Sequence, residues 1–394
     1  MKRIVIGASL AFTVLLAGCL PQVERAEEEV IVVEETEIEE EQEFIVTPSI
    51  DTPDSYYRNM LSGDGEYFRS QARGVVADAM QNRVDLDQFE LGLMEIASNR
   101  FGQDEFYFRE GSYISGEVIN SWLRRYDPDN ENNVNGLNPQ LAGGESMEDQ
   151  MRNAPLMISH IMEHNYFSGN EEDGVNLGGV VIGIGVRSVY YFQTETEDGR
   201  LNFFEQAIDS AEAEEYARNA AGIMLERLRQ REGLEEVPIT FALYREEPRG
   251  SIIPGSFISL AEVGQGQNEI SGWDAINEDN LIFPSGAARE AQPALSDSFT
   301  VFRDEIETFF GRTVGVVGKG RYQNDTLSEL QIELNLQSHG KAEIIALTQF
   351  IRGRLDSTFQ VNAPVNVYVE SINGPEALIT SMPDQEPFVH VYGN

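Results

Sequence analysis

A chain of 394 residues with 41% hydrophobic residues and 21 phenylalanines carries enough apolar side chain for a large core or two domains, which excludes wholesale disorder. Its formal net charge of −39 excludes nucleic acid and anionic lipid headgroups as direct partners, because a polyanion repels both. A lone cysteine, Cys19, excludes an internal disulfide framework.

The chain opens on Lys2 and Arg3, followed by the apolar run from Ile4 to Leu16. Thirteen residues are too few to span a bilayer, yet they suit the apolar region of a secretory signal. Leu16-Ala17-Gly18-Cys19 comes next. Small residues before a cysteine are what bacterial lipoprotein processing requires. The thiol takes a diacylglycerol through a thioether, and cleavage falls between Gly18 and Cys19. Residues 1–18 therefore read as a lipoprotein signal peptide, and Cys19 as the lipidated first residue of the mature chain. The competing reading is an ordinary signal peptide with an incidental cysteine. At about 0.8 kcal/mol per buried methylene, two acyl chains hold where one is marginal. The expectation is a protein on the extracytoplasmic face of the cell membrane, with lipoprotein-processing enzymes as partners. No cofactor beyond the covalent diacylglycerol on Cys19 is expected.

Residues 19–50 follow as an acidic tether, with eleven glutamates between Glu24 and Glu43. Such a run repels itself and is expected to stay extended, reaching at most roughly 100 Å. Glutamates bracket Val30-Ile31-Val32-Val33 and guard it against aggregation. A cation- or wall-binding tail is the functional alternative to a solvated spacer.

Folded structure is expected from Asp51 onward, in halves 51–249 and 250–394. Spacing of 3.6 type predicts helices near 87–100, 115–125, 147–167, 211–231, 297–310 and 341–356. β-branched and aromatic runs predict strands near 178–192, 237–244, 252–262, 327–337, 364–370 and 387–392. The class is α+β, with mixed sheets and packed helices. GVVIGIGVRSVYYF, a helix and VPITFALY in the first half parallel GVVGKGRY, a strand, a helix and APVNVYVE in the second. This suggests two related halves meeting near Arg249–Gly255.

Few motifs bear chemistry. HIMEH at 160–164 matches H-x-x-E-H. On a helix, His160 and His164 would share one face and bind Zn²⁺, with Glu163 activating water. Against this stands an amphipathic helix with Ile161 and Met162 turned inward. DPDNENNVNG at 127–136 resembles a calcium loop but has Asn132 at the turn and Asn138 at the closing position, which favours a polar surface loop. GVVGKG lacks the first P-loop glycine, at Thr313, and GIGVRS ends in serine, so both read as turns or bulges. Trp122, Trp273 and Tyr190–Tyr191 are aromatics of the kind that line ligand sites, although core packing is the commoner role.

Several longer stretches are more distinctive: YYRNML (56–61), QARGVV (72–77), EGSYISGEVINSWLRR (110–125), GLNP (136–139), LMISHIMEHNYF (156–167), SIIPGSFIS (251–259), SHGKAEIIALTQF (338–350) and HVY (390–392). Together with the lipobox they make the chain resemble the CamS family of sex-pheromone lipoproteins of Gram-positive bacteria. The resemblance implies that the released signal peptide is the source of a short hydrophobic peptide, one that induces a conjugative response in cells carrying a responsive plasmid. On this chain the peptide would lie within Ala11 to Gly18. The leading expectation is a surface lipoprotein precursor, not an enzyme, whose body binds an envelope or extracellular ligand. An extracellular zinc hydrolase using residues 160–164 is the alternative, and a structural or chaperone-like envelope lipoprotein a third reading.

Overall fold

Val180 to Val186 is apolar or glycine at every position, which a strand tolerates only when both of its faces are covered. The computed structural model describes residues 29–33, 42–50, 56–72, 83–170, 174–311, 313–337 and 340–393, and there both faces are covered. The first sheet has the order β1 (Glu29–Val33), β2 (Gln42–Val46), β3 (Arg58–Ser62), β4 (Phe106–Glu110), β5 (Ile158–Asn170), β6 (Gly174–Val186), β9 (Ile239–Arg245), β10 (Ser256–Val263) and β11 (Asp274–Ala275). Helix α1 (Arg83–Ser98) lies on one face and buries Phe89, Leu93 and Ala97 against Val181, Ala242 and Tyr244. Helix α4 (Ser210–Leu228) lies on the other, with Ala217, Ala221, Met224 and Leu228 against Ile182, Ile184, Phe241 and Leu243. Odd and even positions of the strands thus serve different helices. Asp209 starts α4 by accepting the Ala211 and Glu212 N–H groups. Each fully buried phenylalanine or leucine contributes about 1.5–3 kcal/mol.

Two glycines in β6 make room for the α1 side. A Cβ on Gly183 would stand 2.6 Å from the Phe89 ring and from a Leu93 methyl. One on Gly185 would stand 2.7 Å from His160 Nε2. GIG therefore marks close packing inside a strand and not the turn expected, with a register irregularity of β5 at Ile158/His160 opposite Val186 and Gly185. The expected strand 178–192 is likewise two elements, since Arg187 and Ser188 separate β6 from β7 (Val189–Glu195), which pairs with β8 (Leu201–Ala207) in a separate hairpin.

The second sheet has the order β12 (Glu278–Phe283), β13 (Gly315–Gln323), β14 (Thr326–Leu336), β15 (Val365–Ser371), β16 (Gly374–Ser381) and β17 (Phe388–Val391). The GVVGKG stretch lies within β13, so it too is strand and not a turn. One face alone is apolar in β14 and β15, where Leu330, Ile332, Leu334, Val365, Val367 and Val369 are buried and Gln331, Glu333 and Asn366 alternate with them. Helices α6 (Pro293–Phe310) and α7 (Lys341–Thr358) cover that face through Phe299, Phe302, Ile306, Leu347 and Ile351. The short α5 (Gly286–Ala291) leads into α6.

The two sheets repeat one topology. Along β4-β5-β6-β9-β10-β11 the pairings run antiparallel, antiparallel, parallel, antiparallel, antiparallel. Along β12-β13-β14-β15-β16-β17 they run in the same series. Two helices, α2 (Gly116–Trp122) and α3 (Met147–Asn153), separate β4 from β5, just as α5 and α6 separate β12 from β13. One helix makes each parallel crossover, α4 in the first unit and α7 in the second. The sheet changes between Ala275 and Glu278, later than the junction expected near Arg249–Gly255, because β10 pairs with β9 along its length.

Two further expectations are corrected. The folded part does not wait for Asp51: Phe44 and Val46 are buried beside Met60 and Tyr107, and Glu29–Val33 pairs with β2 as an edge strand. The apolar runs Val30–Val33 and Phe44–Val46 outweigh the acidic composition there. The expected helix 147–167 ends at Asn153, since Pro155 forces Ala154 out of helical geometry (φ −139, ψ 71), and the chain continues as β5.

Arg321 on β13 joins the units. Its Nε donates to Glu278 Oε1 at 2.5 Å and its Nη2 lies 2.7 Å from Glu95 Oε2 on α1. Glu278 also accepts the Phe257 N–H of β10 at 2.9 Å, and its side chain is 1% exposed. Arg321→Ala should cost about 3 kcal/mol in urea unfolding, because it strands a buried carboxylate. Arg321→Met combined with Glu278→Gln should cost clearly less. Equal losses in the two variants would refute the pairing argument.

Candidate functional site

The H-x-x-E-H stretch lies on β5, between register irregularities at Ile158/His160 and Tyr166/Phe167. Pairing between them is regular, so His160, Met162, His164 and Tyr166 face α1, while Ile161, Glu163 and Asn165 face the other way. A helix would have placed both imidazoles and the carboxylate within reach of one ion, whereas the strand separates them. Among the described residues no three His, Cys, Asp or Glu side chains are grouped to hold a metal ion. The zinc arrangement expected from the sequence is thereby corrected.

Each side chain has a different role. Glu163 sits in a bracket of successive backbone donors: its Oε1 accepts from Ser112 and Tyr113 N–H at 2.9 and 3.0 Å, and its Oε2 from Ile114 N–H at 2.8 Å. Asn165 Nδ2 adds a fourth bond at 2.8 Å. Burial pushes the Glu163 carboxyl above its ordinary range, against the pull of these donors. So engaged, it is a clamp between β5 and the segment after β4 rather than a base free to activate water. His160 packs edge-on against Phe89 with centroids 5.2 Å apart, and its Nδ1 is 3.2 Å from Glu246 Oε1. Ser159 Oγ donates to the same oxygen. His164 packs edge-on against Phe108 at 4.9 Å, with Nδ1 3.4 Å from the Tyr166 hydroxyl.

A cavity of about 330 Å³ opens beside this strand, between β5 and α1. Ala72, Leu86 and Met162 supply apolar wall, and Asp87, Glu90, Glu110 and His164 polar wall. Pairing of Glu110 with His164 across β4 and β5 sets these two side chains next to each other. Glu110 accepts the Tyr67 hydroxyl and the Ser70 N–H at 2.8 and 2.7 Å. His164 was singled out by its motif, but Asp87, Glu90 and Glu110 carry no local signal and are gathered from separate segments.

The other candidates disperse. In the loop 127–136, Asp127 and Asn130 accept the N–H groups of Asp129 and Asn132, and so cap their own turns. Asn138, expected at the closing position, is fully buried and ties Leu123, Met157 and Ile158 together. Trp122 and Tyr190 are core residues. Trp273 packs at the core's margin beneath Arg218, and Tyr191 lies on the hairpin beneath Arg249. Gly18 and Cys19 lie outside the described residues.

Burial drives His160 and His164 each from 6.5 to about 3, with the Arg187 guanidinium adding to the effect at His160. A folded value below the unfolded one contributes stability that is complete above about pH 6.5 and lost as pH falls toward 3. Glu163, raised by burial, has the opposite sign, so the informative quantity is the difference between variant and parent. His164→Phe should flatten the decline of unfolding free energy between pH 6.5 and 4 by up to about 1.4 kcal/mol per pH unit. Parallel urea titrations of both proteins give this slope, and identical slopes would contradict the assignment.

Among known proteins, a family model described as the CamS sex pheromone cAM373 precursor matches residues 67–387. A crystal structure of a sex pheromone precursor from Lactobacillus salivarius subsp. salivarius is similar at 27% identity and TM-score 0.79, covering 89% of this chain and 99% of that one. The C-terminal domain of the sex pheromone staph-cAM373 precursor from Staphylococcus aureus is similar at 27% identity and TM-score 0.69, covering 81% and 100%. No curated protein matches. With its family match spanning most of its length and its α+β architecture shared with these structures, the chain belongs to the CamS sex pheromone precursor family.

Proposed function

We propose that this chain is the precursor of two products: an apolar peptide cut from residues 1–18, and a lipid-anchored extracytoplasmic body that binds a ligand. The observation that carries the reading is the order Lys2-Arg3, an almost wholly apolar run from Ile4, then Leu16-Ala17-Gly18-Cys19, in a member of a pheromone precursor family. Cleavage before a diacylated Cys19 frees a peptide whose last residues, within Ala11–Gly18, are uncharged and short enough to diffuse. The two acyl chains then hold the body at the membrane surface, with lipoprotein-processing enzymes as the partners of maturation. No helix among the described residues is long and apolar enough to cross a membrane. The body's acidic surface favours a ligand other than nucleic acid. Support for ligand binding comes from the cavity between α1 and β5, within the size range of small-molecule sites.

Mass spectrometry of spent medium tests the release. A discrete peptide ending at Gly18 is expected from cells making the parent protein and should disappear with Cys19→Ala. A synthetic copy should then induce a conjugative response in plasmid-bearing cells. Lipidated Cys19 without any such peptide would reduce the signal sequence to an address and sink the pheromone reading.

A further inference from the structure

We propose that the outer edge of β8 binds an extended apolar peptide as a third strand of its hairpin, and that the peptide is the one cut from within Ala11–Gly18. This rests on the proposed release of that peptide and gives the body a partner made from the same chain.

The hairpin of β7 and β8 pairs with no further strand among the described residues. Its inner face is anchored. Phe192 stacks on Tyr190 and Phe204 with centroids 5.0 and 5.3 Å apart, and the Arg152 guanidinium of α3 lies over Phe192 and Phe204. On the opposite face Leu201 and Phe203 are 49% and 76% exposed. A groove of about 520 Å³ passes Tyr191, Phe203, Phe204 and Arg249.

The backbone at this edge is equally open. Ile208 N–H donates to the Ser188 carbonyl and Thr196 N–H to the Arg200 carbonyl, each at 2.9 Å, and pairing between these bonds is regular. Asn202, Phe204 and Gln206 therefore bond to β7, whereas Leu201, Phe203, Glu205 and Ala207 turn their N–H and C=O groups away from it. Side chains take two of those carbonyls, Arg152 that of Glu205 and Gln206 that of Ala207. The backbone groups of Leu201 and Phe203 have no hydrogen-bond partner among the described residues. Unpaired backbone beside exposed apolar side chains is the template that an added strand requires.

Charge, length and composition select the occupant. A net charge of −39 sets a second copy of the chain against the first, whereas AFTVLLAG, residues 11–18, has no ionisable side chain. Its eight residues match the seven of β8 at about 3.3 Å each. Phe12, Thr13 and Val14 favour extended backbone, and its apolar side chains suit the row of Leu201 and Phe203. The edge strand β17 also exposes a phenylalanine, Phe388, but has only four residues.

The test is fluorescence anisotropy with labelled synthetic AFTVLLAG and the protein purified in detergent from cells that make it. A copy N-methylated at each central residue keeps the apolar side chains and loses the N–H donors of a strand. Phe203→Pro removes the outward N–H without touching the β7 ladder, Phe203→Ser keeps the backbone and removes the ring, and Phe388→Ser is the control on β17. Saturable binding of the plain peptide is expected, weakened at least about tenfold by N-methylation and by Phe203→Pro, weakened also by Phe203→Ser, and unchanged by Phe388→Ser. Should Phe203→Pro fail to fold, Phe203→Ser and the N-methylated peptide decide the matter. Equal binding of both peptides, or binding unchanged in the Phe203 variants, would overturn strand addition at β8. Absence of binding would overturn the inference and leave peptide release, which mass spectrometry reads separately, intact. Self-association of the chain that Phe203→Pro abolishes, with no peptide bound, would assign the edge to a second copy instead.

Discussion

Burial of both faces of β6 and β9 is the constraint on which the first unit depends. A strand between two helices can offer water neither face, so every side chain on it must be apolar, absent or fully hydrogen-bonded. Val180, Ile182 and Ile184 meet α4, Val181 meets the α1 side, and Gly183 and Gly185 meet ring atoms that leave no room for a Cβ. The same constraint passes to β5, which carries polar residues into that layer. Its Glu163 is held by three backbone N–H groups and Asn165, and its Ser159 by Glu246. These bonds are why the Glu163 carboxylate and the Ser159 hydroxyl can sit almost wholly out of water.

The second unit repeats the topology without the constraint. Among the described residues no helix plays the part of α1 there, so apolar and polar residues alternate over Leu330–Leu336 of β14 and Val365–Val367 of β15. One fold plan therefore yields two kinds of strand sequence, according to how many faces are covered. The units meet where α1, the extra helix of the first, presents Glu95 to Arg321 of the second. Arg321 is suited to that place because its planar fork can serve two carboxylates at once.

The functional reading divides the chain in a similar way. The signal segment carries the proposed released peptide, and the body carries the family match, which lies within residues 67–387. The motif that looked most like chemistry, H-x-x-E-H, serves architecture at His160 and Glu163. His164 also lines the cavity beside β5, whose polar wall includes Asp87 and Glu90 of α1 and Glu110 of β4.

Much of the second unit is legible in the residues themselves, because one-sided burial writes period 2 into β14 and β15 and leaves α7 with an unbroken helical face. The proposed lipobox is a pattern of a different kind, linear in Leu16-Ala17-Gly18-Cys19 and dependent on no fold. Family membership is likewise carried by linear stretches such as EGSYISGEVINSWLRR. Tertiary structure decided the rest. HIMEH has spacing compatible with a helix, and only pairing with β4 and β6 makes it a strand and turns Glu163 away from the histidines. The glycines of GIG resemble a turn until Phe89 and His160 are seen to occupy their missing side chains. The cavity assembles Leu86, Asp87, Glu90, Glu110 and His164 from three elements. Local sequence determines what each residue can do, whereas long-range pairing determines which of them meet.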